Sequence, residues 1–483
     1  MFLHTTPLEN DSGGVFILRT LQMPQMTQTK LIPVVETMPA DLLTPLAVYL
    51  RLSAGAANSF LLESVEGGKS LARYSFIGAD PVRVITGGRE EFASLRQHLS
   101  EHVASIEPDM PSFIGGAIGC LGFDACEWFE PSLDSTGGGR DACSFMIYRS
   151  IVAFDHAKQV IRIISLDVEG EMEHARKRNA EIRKRLEVAA IPEWQTANTG
   201  SPAETSAASS NWERSAFEDA VSEIKELINA GECYQAVLSQ CFTRPTAAHP
   251  VSIYRALRSL NPSPYMFLLN FGGRQIIGAS PEMLVRCEDE RLEYRPIAGT
   301  RPRGRTAAED DALADEMRRD AKEVSEHLML VDLGRNDLGR VAEFGSVNVD
   351  TLMSVEKYSH VQHLVSSLSA KLRKGLDRFD ALAACFPAGT VSGAPKVRAI
   401  EVIRGLEPTP RGIYAGAVGY FDYSGNMDTC IAIRTLVLQN GVAKIQAGAG
   451  IVADSVPASE FDETVNKAKV LMRAIDIAES GQL

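Results

Sequence analysis

The sequence predicts an α+β fold built on antiparallel sheets. Strand-like segments come in clusters, glycine-bearing turns join neighbouring strands as hairpins, and helical periodicity is confined to a few long stretches. Regular alternation of strand and helix would instead have signalled a parallel, doubly wound sheet.

In chain order, residues 212–230 carry Phe217, Val221, Ile224, Leu227 and Ile228 at helical spacing, with Gly231 as a stop. Strands are expected at 233–242, 265–271 and 274–279, the last two joined by Gly272-Gly273 as a two-residue hairpin. A further strand is expected at 292–297 and one long helix from about 310 to 333. Residues 412–422, 429–438 and 443–449 read as a meander with Asn440-Gly441 at one turn, and 458–478 as a final amphipathic helix. The first half is also strand-rich, with weaker patterning.

The chain has 483 residues, 45% of them hydrophobic and 23% charged, a globular composition. That length exceeds one ordinary core, so two domains or one composite core is expected. The stretch 196–211 (TANTGSPAETSAASSN) has too little apolar surface to order itself. It reads as a linker between 31–195 and 212–483. Residues 1–30 are polar and aperiodic and read as a disordered extension, and 135–140 as a loose glycine-rich patch. The 49 basic and 62 acidic residues leave a charge of −13, which speaks against a nucleic-acid partner. No apolar run is long enough for a bilayer. Eight scattered cysteines without a CxxC pair suit reduced thiols in a cytoplasmic protein.

Common catalytic motifs are absent: there is no HExxH, GxxxxGK[ST] or GxSxG, and GTVSGAPK (389–396) lacks phosphate-loop spacing. Two carboxylate pairs stand out. Glu323 and Glu326 share one helix face, as do Glu460 and Glu463, with Lys467 a turn further on. Each pair alone is most simply a solvated acidic face; brought together, four carboxylates would form an oxygen site suited to Mg²⁺. A di-iron bundle would want Glu-x-x-His, whereas His327 directly follows Glu326. Between the acidic helices lie five strings rich in glycine and small polar residues: ASPEM (279–283), PIAGTRPRG (296–304), GRNDLGR (334–340), FPAGTVSGAPK (386–396) and QAGAGIVADS (446–455). Each alone is a turn; together they suggest a ligand-lined cleft. Arg301–Arg305 is either a solvated loop or a steering element for an anion.

In this order, these strings resemble the chorismate-utilising enzymes, and among them the large subunits of anthranilate synthases. The resemblance runs from about 31 to 483 and is densest in PIAGT, EHLMLVDLGRND, GTVSGAPK and GAGIVADS. It implies a large composite fold of stacked antiparallel sheets flanked by helices. It also implies conversion of chorismate and ammonia to anthranilate and pyruvate, with Mg²⁺ held by Glu323, Glu326, Glu460 and Glu463. Arg434, Tyr414, Gly448 and Gly450 would receive a substrate carboxylate, and Gly299, Thr300 and Lys467 would complete the pocket. Glu282 is the implied acid, its pKa raised by burial and neighbouring carboxylates; His363 and Thr390 are placed in the lyase half.

Two positions separate the relatives. Water-adding members use a lysine base where this chain has Gln235, and aminodeoxychorismate synthases typically carry a nucleophilic lysine where it has Ala298. An aminodeoxychorismate synthase component with an atypical Ala298 is the alternative reading; a catalytically dead tryptophan sensor is another. The strings LLES (61–64) and NPSPYM (261–266) resemble the family's tryptophan site. That site would comprise Leu62, Glu63, Ser64, Pro264, Tyr265 and Met266, with Val418, Tyr420, Asp428 and Cys430. No glutamine-hydrolysing segment is recognisable, so a hetero-oligomer with a glutamine amidotransferase small subunit is expected to supply ammonia.

Overall fold

The computed structural model describes residues 28–64, 73–133, 139, 141–188, 207–358 and 361–481. The expected extension 1–30 and loose patch 135–140 lie almost wholly outside these residues, as does the stretch 196–206. The other end of that stretch is described: Ser209–Ser210 pairs as an edge strand with Phe242 and Thr243.

Two sheets, one of 13 strands and one of 10, stack face to face. Both halves of the chain contribute to both sheets. In the larger, Asn58–Glu63 pairs with Tyr265–Phe271; in the smaller, Gly116–Leu121 pairs with Ala417–Asp422. The division at 196–211 is therefore one of sequence, and two of the hydrophobic clusters draw residues from both sides of it. Phe60, Phe113 and Tyr148 pack edge to face between the sheets, and Phe379 stacks on Phe421 at 4.3 Å. Helices Pro45–Ser53, Pro250–Leu260 and Pro457–Ser480 cover the outer face of the larger sheet. Among the described residues no helix is long and apolar enough to cross a membrane.

Two expected elements are divided. The single helix at 310–333 is two helices, Ala307–Arg319 and Ala321–Gly339, because Asp320 leaves helical geometry and caps the second through Lys322 N and Glu323 N. The single strand at 429–438 is also two, Met427–Ile431 in the smaller sheet and Thr435–Gln439 in the larger. Its neighbour crosses beside it: Arg274–Ser280 lies in the larger sheet and Met283–Glu288 in the smaller. These adjacent crossings make a corner between the sheets. The 292–297 strand likewise resolves into Arg291–Tyr294 and Ile297–Pro302. The hairpin at Gly272-Gly273 and the turn at Asn440-Gly441 form as expected, with positive φ at all four residues.

Candidate active site

The corner positions the chemistry. Glu282 lies in one crossing and Arg434 in the other, and both line a cavity of about 230 Å³. Gln235, Gly299, Thr300, His363, Thr390, Tyr414, Gly448, Gly450 and Lys467 line the same cavity, together with Glu326.

Arg434 takes a left-handed φ of 50°, which turns the chain between the sheets, and its carbonyl accepts from Ala279 N at 3.1 Å. Burial lowers its pKa, and among the described residues it forms no ion pair. A half-buried cation without a counter-ion is costly, and a bound anion relieves that cost. Two glycines make room around it: a Cβ on Gly448 would meet the Tyr414 hydroxyl at 2.7 Å, and one on Gly450 would meet Gln235 Nε2 at 2.5 Å. Lys467 Nζ donates to the Gly448 carbonyl at 3.0 Å.

Glu282 is buried and its pKa is pushed up to about 8. Loss of water is the main cause; the Thr390 hydroxyl and the Ile297 amide pull it partly back. Neighbouring carboxylates, expected to share in the shift, are not among its causes. The group is thus protonated near neutrality and can act as an acid.

Gly299 bulges from its strand with φ 61°, between Ala298 opposite Leu364 and Thr300 opposite His363. The bulge aims its carbonyl at His363 Nδ1, 2.9 Å away. A carbonyl only accepts, so Nδ1 carries the proton and Nε2 keeps the lone pair. Burial lowers the His363 pKa, keeping the ring neutral and able to take a proton at Nε2.

The two acidic helix faces do meet. Glu326 feels Glu323, Lys467 and Glu463, and Glu460 feels Glu463 and Lys467; in both, burial is the larger cause of a raised pKa. This all-oxygen donor set fits a hard divalent cation in chemistry. Its geometry differs from the expected four-carboxylate cluster: among the described residues, no three of His, Cys, Asp and Glu form a ready metal centre. Arg301 holds Glu323 at 3.0 Å and Lys467 holds Glu463 at 2.6 Å, so two of the carboxylates are engaged by the chain's own cations. Arg301 also pairs with Glu316 and Asp320 and is thereby a structural brace, not a loose loop residue.

A second cavity, of about 400 Å³, is lined by Leu62, Glu63, Ser64, Pro264, Tyr265, Met266, Val418, Tyr420, Asp428 and Cys430. The sequence reading missed Arg73, Tyr74, Phe76, Met110, Ser112, Arg286 and Glu288 in its wall. Arg286 pairs with Asp428 at 2.7 Å, directly opposite it on the neighbouring strand, and the Tyr265 hydroxyl donates to the same carboxylate at 3.1 Å. Glu63 accepts from the Tyr254 hydroxyl at 2.5 Å and lies 3.4 Å from Arg258.

Comparison with known proteins shows the family. A family described as chorismate binding enzyme matches residues 57–473. The chain is 44% identical to anthranilate synthase component 1 of Acetivibrio thermocellus, over 94% of this chain and 96% of that protein. It is 43% identical to anthranilate synthase component 1 of Pseudomonas aeruginosa, over 91% and 94%. The crystal structure of anthranilate synthase component I from Streptococcus pneumoniae superposes with a TM-score of 0.75 at 37% identity, covering 91% of this chain and 99% of that one. The menaquinone-specific isochorismate synthase of Escherichia coli reaches 0.72 at 21% identity, a likeness of fold alone.

Proposed function

This chain belongs to the chorismate-binding enzymes and is an enzyme of the anthranilate synthase component 1 type; from that premise we propose how its residues divide the reaction, and which ion, partner and inhibitor serve it. The reaction takes chorismate and ammonia to anthranilate, pyruvate and water. One observation carries the assignment of roles: a protonated carboxyl, Glu282, and a half-buried guanidinium with no ion pair among the described residues, Arg434, share one cavity.

Arg434 receives a chorismate carboxylate as a planar, two-pronged donor. Ammonia adds at ring carbon C2, the double bond shifts, and the C4 hydroxyl leaves as water with the proton of Glu282. The C2 proton then passes to His363 Nε2, the C3–O bond breaks, and pyruvate departs as its enol while the ring aromatises. Thr390, beside Glu282, belongs to the same wall. Gln235 offers no base to activate water, and Ala298 offers no amine to form a covalent adduct, which favours ammonia as the direct nucleophile.

Mg²⁺, held by Glu323, Glu326, Glu460 and Glu463, would supply the positive charge by which an anionic substrate tolerates an acidic rim. Ammonia comes from a glutamine amidotransferase component, and L-tryptophan occupies the second cavity as a feedback inhibitor. We place the enzyme in the cytoplasm, consistent with eight free cysteines, seven of them buried. The test is direct: the purified chain with chorismate, Mg²⁺ and ammonium yields fluorescent anthranilate, and Glu323→Gln suppresses it. A product that awaits an added lyase would instead mark an aminodeoxychorismate synthase.

A further inference from the structure

Glu282 does not stand alone in its crossing. Ser280, two residues earlier and fully buried, is the last residue of the strand leaving the larger sheet. Its hydroxyl donates to the Ile431 carbonyl at 2.7 Å and accepts from the Glu282 amide at 3.4 Å. The Ile431 amide in turn donates to the Glu282 carbonyl at 3.0 Å. A hydroxyl has a single proton, so its contact with the Glu282 carbonyl at 3.5 Å adds no further bond. The result is a closed ring: both backbone polar groups of the acid are fixed on Ile431, one directly and one through Ser280.

Ile431 ends the strand Met427–Ile431, and this strand also forms the wall of the second cavity through Asp428 and Cys430. Ser280 is paired across the sheet with Tyr265, a further residue of that wall, and its hydroxyl adjoins the Cys430 thiol. One serine thus touches the backbone of the acid and adjoins two residues of the second cavity's wall.

We propose that Ser280 is a positioning residue whose hydroxyl locks Glu282 to the strand Met427–Ile431, so that occupation of the second cavity is felt at the acid. The positioning role stands on the catalytic cavity; the regulatory role rests on tryptophan as occupant of the second. A displacement of the strand is carried to the carboxyl by the ring, and a misplacement of about 1 Å costs roughly a hundredfold in rate.

Ser280→Ala and Ser280→Cys test this in the full chain, each with melting curves. In Ser280→Ala, kcat falls roughly tenfold or more while the chorismate KM stays within about twofold. The high-pH limb of kcat/KM moves down by about one unit, because a loosened backbone lets water reach Glu282. Tryptophan still binds the chorismate-free protein in calorimetry, but its effect on chorismate KM shrinks at least about fivefold. Ser280→Cys, a weaker donor of similar shape, falls between, and decides the matter if the alanine variant does not fold. A folded variant with an unmoved pH limb and unmoved coupling overturns the proposal, whatever its melting temperature. If the wild type fails to bind tryptophan, the inhibitor reading falls with the regulatory role, and the pH limb alone decides positioning.

Discussion

The two cavities hold their charges differently. In the catalytic one, Arg434 has no counter-ion among the described residues and Glu282 is kept from ionising by burial. In the second, Arg286 is matched to Asp428, and Glu63 is held by Tyr254 and Arg258. Both are polar pockets at the same sheet corner, so polarity does not tell them apart. Satisfaction does. Unmatched groups are costly until a ligand arrives, and their energy is available to a reaction. Matched groups are already near their lowest energy, and suit a site that recognises a ligand without transforming it.

The comparison can be broken most sharply at the acid. Glu282→Gln is expected to lower kcat by roughly 10²- to 10⁴-fold, the range for one general acid, with anthranilate fluorescence as the readout. In the wild type, kcat/KM falls as pH rises through about 8, where Glu282 loses its proton; this limb is absent in the variant. An unshifted pH profile would mean that Glu282 is not the proton donor. Next comes Glu63→Gln. Removing the carboxylate of the matched site is expected to raise the tryptophan concentration for half-inhibition by roughly 10- to 150-fold, the worth of a charged hydrogen bond of some 1.5–3 kcal/mol. A primary loss of turnover instead would mean that the matched cavity also does chemistry. Arg434→Lys follows, with kcat/KM for chorismate reduced roughly tenfold or more, because a point charge replaces a planar fork.

Much of both cavities was legible because glycine and small polar residues occur in ordered strings, and those strings fall where chain crossings meet. Gly448 and Gly450 are examples: the sequence marks them as special, and the structure gives the reason in Tyr414 and Gln235 pressed against them. The sheet crossing at 432–434 was not legible. The run from Thr429 to Leu438 is strand-forming throughout, with no glycine or proline to mark a break, and only the left-handed φ of Arg434 reveals that the strand changes sheets. The same holds for Asp320, set in an unbroken helical pattern and recognisable as a cap only from its bonds. Arg286 carried a faint signal, a charge inside the apolar run Met283–Cys287, but its partner Asp428 lies 142 residues away, and register alone brings them opposite. Fit of donor type was readable for the four glutamates, and so was Lys467 one turn past Glu463; Arg301 was not, since it and Glu323 meet only through the break at Asp320.

The last effect sharpens the comparison through stability. Glu282 has a folded pKa near 8 against an ordinary 4.5. A raised carboxyl pKa favours the folded state fully below the ordinary value, and that favour is lost as pH rises through the folded one. The wild type should therefore weaken between about pH 5 and pH 8 through this group, and Glu282→Gln, which cannot ionise, should not. At pH 9 the variant is expected to be the more stable by roughly 3–5 kcal/mol, and at pH 5 by under about 1 kcal/mol, as read from thermal melts at both pH values. The matched site should respond in the opposite sense. Asp428→Asn leaves Arg286 with only the longer pairing to Glu293 at 3.7 Å, so it destabilises at both pH values. Neutralising one carboxyl thus relieves the fold in one cavity and harms it in the other; equal signs would mean that the two cavities hold charge alike.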